Sequence, residues 1–223
     1  MPVWQALTEE LADTGLTIVA VALESRGLDA ALPYIEAANP TYPCLVDRQH
    51  VVAELFGMVN VPTAVWINEE GRIVRPPEPA GTNDAFRKMD PATGRLAAED
   101  RQALRDERQR YLDGVRDWAR RGDESPWALD EAVVRSRLAR PRGEHELARV
   151  HFRLGEHLWE LGHGDRAQAH FAQAVRLHPE SWAYRRQALD LEQQGKSMGR
   201  EYWEAVTALG DRHYYPPIIA PES

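Results

Sequence analysis

The sequence predicts an α/β fold, a mixed sheet with helices on its faces, followed by an all-helical region. Before residue 76, short apolar runs rich in β-branched residues alternate with helical patterns. After residue 76 nearly every segment is helical in period or reads as loop. A chain of 223 residues with 43% hydrophobic content can bury one sizeable core or two small ones. Two regions are therefore expected, 1–122 and 123–223, with 76–96 a loop or insertion in the first.

The elements of the first region follow in order. A helix is expected from Pro2 to about Ala12, since Val3, Leu7 and Leu11 share a face and a first turn tolerates proline; Thr14-Gly15 stops it. Thr17–Leu23, TIVAVAL, is continuously apolar, as in a strand covered on both faces. A helix over 29–38 is capped by Asp29 and ended by Asn39-Pro40. A short strand at 43–46 precedes a helix over 49–56 closed by Gly57. Thr63–Ile67, TAVWI, is the second strongly apolar strand; a turn at 68–71 and a return strand at 72–74 complete a hairpin. The proline-rich run from Arg75 is expected to end that strand, and 90–94 is a further turn. A long charged helix spans about 97–121 and ends at Gly122; its later half carries Tyr111, Leu112, Val115 and Trp118, and its earlier half reads as a solvated face.

Composition narrows the function. A net charge of −8 leaves no basic surplus to neutralise phosphates, which argues against nucleic acid or an anionic membrane surface as main partner. No apolar run approaches the roughly 20 residues that cross a bilayer, and no signal-peptide pattern is visible, so a cytoplasmic location is the simplest expectation. The single cysteine, Cys44, excludes dithiol chemistry within these residues, and its place in the apolar stretch YPCLVD marks it as a structural position.

At Val61-Pro62-Thr63 the chain begins to resemble a known family. A V-P-T tripeptide entering an apolar strand, then INEEGRIV, is similar to the cis-proline loop and last two strands of the thioredoxin superfamily. The order VAVALES, YPCLVD, VAELFGMVNVPT, INEEGRIV looks like the TlpA/ResA-like branch over Met1 to Arg75. The resemblance implies a thiol–disulfide oxidoreductase or antioxidant protein, needing no cofactor, that acts on a protein thiol or disulfide. It implies that Val61, Pro62 and Thr63 present backbone groups to a substrate strand; Trp4 either lines the same cleft or packs against the sheet from its helix face. Glu24 matches an acidic residue held near the active-site cysteines, where a carboxylate raises a thiol's pKa or relays its proton; the segment is one residue shorter than the family pattern, and the alternative is a strand-end glutamate in water. Met1–Leu7 resembles the helical stretch just after the family's W-C-x-x-C motif. That motif, and the central strand before it, are therefore expected upstream of Met1; a selenocysteine codon read as a stop is one route to such a record. Without that strand, 17–23 and 63–67 are expected either to pair directly or to leave buried groups unpaired, at about 1–3 kcal/mol each.

In the second region Leu154-Gly155, Leu158, Ala167, Phe171, Ala174 and Pro179 fall at the offsets of a tetratricopeptide repeat, with Gly162–Asp165 as the turn and Asp165 as N-cap. Helical stretches at 129–138, 182–193 and 201–209 flank it, and the tail from His213 reads as extended. Such a region either binds a peptide or partner protein, or caps the first region or forms a dimer interface. His145, His151, His157 and His163 recur every six residues, a step of about 240° on a helix, so they share no face and define no metal site. Two functions stand open at this point, a thiol–disulfide oxidoreductase lacking its reactive pair and a non-catalytic protein-binding adaptor.

Overall fold

The computed structural model describes residues 2–90, 92–138, 142–219 and 221. Met1 of the opening segment, Pro91 of the turn at 90–94 and part of the tail lie outside them. The first region contains α1 (Pro2–Glu10), β1 (Ala20–Leu23), α2 (Leu28–Ala38), β2 (Cys44–Asp47), α3 (Val51–Phe56), β3 (Thr63–Ile67), β4 (Ile73–Pro79) and α4 (Ala98–Arg121). The second contains α5 (Glu131–Arg137), α6 (Gly143–Glu160), α7 (Gly164–Leu177), α8 (Trp182–Glu192) and α9 (Arg200–Thr207). This is a mixed α/β architecture dominated by helices.

The strands do not form one sheet. β1 and β2 pair in parallel, Ala20 opposite Cys44 through Leu23 opposite Asp47, while β3 and β4 form a separate antiparallel hairpin. β1 and β3 do not pair. All four residues of β1 are only half-buried, so the strand is not enclosed on every side.

β4 runs through the prolines that were expected to end it. Trp66 opposes Arg75 and Ala64 opposes Glu78, so two steps of β3 face three of β4 and Pro76-Pro77 fall at a bulge. An outer strand needs no amide donor there, which is where proline is tolerated. Two predicted caps are also corrected. Gly27, at φ 95°, precedes α2 and His163 precedes α7, so Asp29 and Asp165 lie inside the first turns, near the positive helix end, without capping.

Three apolar clusters hold the chain. Leu7 and Leu11 of α1, Trp66, Val74 and the α4 residues Tyr111, Leu112 and Val115 form the first, and Ile218 from the tail completes it. The Trp66 indole donates to the Tyr111 hydroxyl at 2.7 Å. Arg75, fully buried, pairs with Glu78 at 2.6 Å, donates to the Trp127 and Ile219 carbonyls, and lies over the Trp66 and Trp127 rings. The second cluster joins α6, α7 and α8 through Phe152, Phe171, Ala167, Ala174 and Tyr184. At Gly155 a Cβ would stand 2.6 Å from the Phe171 ring, so only glycine permits this approach of α6 and α7. The third gathers Trp182, Tyr202, Trp203, Val206, Tyr214 and Tyr215.

Candidate functional site

Parallel pairing places the carboxyl ends of β1 and β2 on one rim, where α/β sheets hold their ligands. Glu24 and Ser25 follow β1, and Asp47 to His50 follow β2. The Asp47 carboxylate accepts from the Val51, Val52 and Ala53 amides at 2.9, 2.7 and 3.3 Å, starting α3. That tight entry leaves His50 in the left-handed region at φ 56°, an uncommon conformation for a side chain of this size.

His50 turns inward and is fully buried against Phe152 and Tyr184. Its Nε2 lies 3.3 Å from Ser25 Oγ, which donates to Glu156 of α6 at 2.5 Å. The Ser25 amide donates to Gln187 Oε1 of α8 at 2.8 Å, and Gln187 returns a bond to the Leu23 carbonyl. Burial, against the opposing pull of Asp47, pushes the imidazole down to about 4, so it is neutral near pH 7. Burial likewise pushes the Glu156 carboxyl up to about 7, partly offset by the Ser25 bond. Between this rim and α6 lies a cavity of about 400 Å³ lined by Ser25, Arg48, Arg153, Glu156, Trp159 and Glu160.

Serine, histidine and glutamate here are not wired as a nucleophilic triad. A triad carboxylate orients the imidazole from its far nitrogen. Here Glu156 accepts from the serine instead, and His50 Nδ1 is buried with no hydrogen-bond partner among the described residues. The arrangement is a polar lock joining the β1 rim to α6 and α8. Arg153 to the Gln49 carbonyl at 2.5 Å, Tyr184 to Glu54 at 3.1 Å and Ala183 to the Val59 carbonyl at 3.0 Å extend it.

The residues singled out from sequence are dispersed by comparison. Both Glu24 oxygens are held by the Arg26 guanidinium at 2.8 Å. Trp4 packs edge-on against Tyr111, 6.3 Å between centroids, in the first core. The Val61–Pro62 bond is cis. Around it the backbone is already engaged: Asn60 accepts from the Val61 amide, the Tyr215 hydroxyl donates to the Val61 carbonyl at 2.7 Å, and the Ala80 amide donates to the Pro62 carbonyl at 3.1 Å. Thr63 Oγ1 donates to the Asn60 carbonyl at 2.7 Å. The tail thus lies on this loop, with Asp84 accepting from the Tyr214 and Tyr215 amides. Cys44 is half-buried at the start of β2, its thiol 3.7 Å from the Tyr42 carbonyl. Ser25, His50, Glu156 and Gln187 escaped the sequence reading because their shared position comes from four separate places in the chain: the end of β1, the start of α3, α6 and α8. The only local signals were a serine two residues past a buried-type strand and a histidine directly before a helix.

No family model matches this chain, and neither does any curated protein or solved structure.

Proposed function

We propose that the chain is the scaffold and substrate-facing part of a thioredoxin-like thiol–disulfide oxidoreductase, with the reactive thiol or selenol pair supplied by a segment that adds a strand between β1 and β3. The observation that carries this reading is the separation of the two ladders. β1–β2 is parallel with a crossover helix, β3–β4 is an antiparallel hairpin, and the two remain unjoined. Val19, just before β1, is 51% exposed although its segment is as apolar as a covered strand. A strand between them would pair both free edges and cover such residues. The chemistry would be thiolate attack on a disulfide through a mixed disulfide, with a helix N-terminus lowering the nucleophile's pKa.

The adaptor reading has less support. The helical region is spent on its own α/β half through the Ser25–Glu156–Gln187 lock, which suits a cap better than an open peptide groove. By itself the 223-residue chain, with Cys44 as its single cysteine, is expected to reduce no insulin disulfides. Expressing the reading frame extended upstream is expected to restore that reduction, and Cys44→Ser is expected to leave it intact. Turnover by the 223-residue chain that disappears in Cys44→Ser would sink the proposal. So would an upstream frame encoding neither an apolar strand nor a cysteine or selenocysteine motif.

A further inference from the structure

We propose that His145, His178 and Glu180 form a binding site for one divalent metal ion of the zinc class. His145 stands in the first turn of α6, His178 directly after α7, and Glu180 in the turn that follows. Because α6 and α7 are antiparallel, the start of one meets the end of the other. Spacing along α6 alone gives no shared face for its histidines; the contact across helices does.

Three features single out this cluster. First, one ligating atom from each of the three side chains lies within 4.8 Å of the other two. Zinc–nitrogen bonds of about 2.0–2.1 Å place two ligands of a tetrahedral ion roughly 3.4 Å apart. Closing the ligand atoms around an ion therefore needs movements of about 1.4 Å or less, within reach of side-chain rotation at two half-buried histidines and an exposed glutamate. Second, the two imidazoles lie together, stacked 3.9 Å between centroids and 11° from parallel, so their rings turn about the side-chain torsions to aim both lone pairs at one ion. None of the three side chains donates or accepts a hydrogen bond or forms an ion pair among the described residues. The other histidine pair on the same helices differs, since His151 and His170 spend their Nδ1 atoms on each other at 2.9 Å. Third, two imidazoles and a carboxylate are a ligand set that suits zinc, and the harder cations magnesium and calcium prefer all-oxygen sites. Three protein ligands leave a fourth position to water.

The test uses the full chain without a histidine tag, stripped of metal and titrated with zinc against a chromophoric chelator. One equivalent is expected to bind, with affinity lowered on the order of ten-fold or more in His178→Ala, His145→Ala and Glu180→Gln. His170→Ala and Cys44→Ser are expected to bind as the parent chain does. Cobalt(II) supplies a second readout, a visible absorption band of a four-coordinate ion that is lost in the same three variants. Zinc is also expected to raise the melting temperature of the parent chain and not of Glu180→Gln, whose exposed side chain makes it the variant least able to disturb folding. Equal zinc affinity in the parent chain, His178→Ala and Glu180→Gln would overturn the proposal, as would binding that disappears with His170→Ala or Cys44→Ser instead.

Discussion

The α6–α7 pair and the β1–β2 pair are the same kind of unit, two neighbouring elements joined by a connection, yet they end in opposite states. Phe152, Ala167, Phe171 and Ala174 between the helices are at most 1% exposed. Beside β1, β2 and the helices after them, Leu45 is 52%, Leu28 55% and Leu55 78% exposed. The difference lies in partners. α8 lies against the helix pair and closes its apolar face, whereas the β1 edge that faces away from β2 has no strand on it among the described residues. A helix satisfies its own backbone and needs only a covering face; a strand needs neighbours on both edges and cover on both sides.

That contrast can be broken most sharply at Phe171. Phe171→Ala is expected to cost about 3–5 kcal/mol, read as a lower denaturant midpoint, since the ring fills the notch left by Gly155. Arg75→Ala is expected to cost a similar or slightly smaller amount, about 3–4 kcal/mol, because it strands Glu78 as an unpaired buried carboxylate. At the seam between the two regions the cost should depend on pH. Glu156 has its folded pKa raised from 4.5 to about 7, so the folded state favours the protonated form. Its contribution is present in full below pH 4.5 and is lost as the pH rises through about 7. Between pH 5.5 and 8 the parent chain is expected to lose about 2 kcal/mol more than Glu156→Gln, measured as urea midpoints. His50 works on the other side. Its folded pKa is lowered from 6.5 to about 4, so its stabilisation is present above pH 6.5 and lost as the pH falls through about 4. An identical pH profile in parent and Glu156→Gln would remove the seam from this account. Tyr215→Phe, which takes the donor from the Val61 carbonyl, is expected to cost about 1 kcal/mol and to free the loop, seen as faster hydrogen exchange at residues 61–64. The smallest effect belongs to the open region, where Leu55→Ala is expected to change stability by less than about 0.5 kcal/mol. A large loss there would mean that the β1–β2 side is covered in solution.

Helix positions were legible because each rests on local periodicity. α4 ends at Gly122 and α8 and α9 lie where the apolar spacing puts them. Gly155 and Phe171, which meet between α6 and α7, were both marked in the sequence by the repeat offsets, because the two helices form one hairpin. The continuation of β4 through Pro76-Pro77 was not, because a bulge depends on the partner strand's register and not on the prolines themselves. Nor was the rim cluster, whose members Ser25, His50, Glu156 and Gln187 span more than half of the chain.

The sequence by itself determined the order of the helices and strands and where most of them lie, though not the full extent of β1 and β4, and that a single cysteine carries no dithiol chemistry. Those properties depend on residues a few positions apart, and the spacing of apolar side chains records them. Only the tertiary structure decided that the strands form two ladders, that the tail occupies the Val61–Thr63 loop, and that His178 comes to lie on His145. Such contacts join residues tens of positions apart. Nothing in the local pattern encodes them, because they form only where one packed surface meets another.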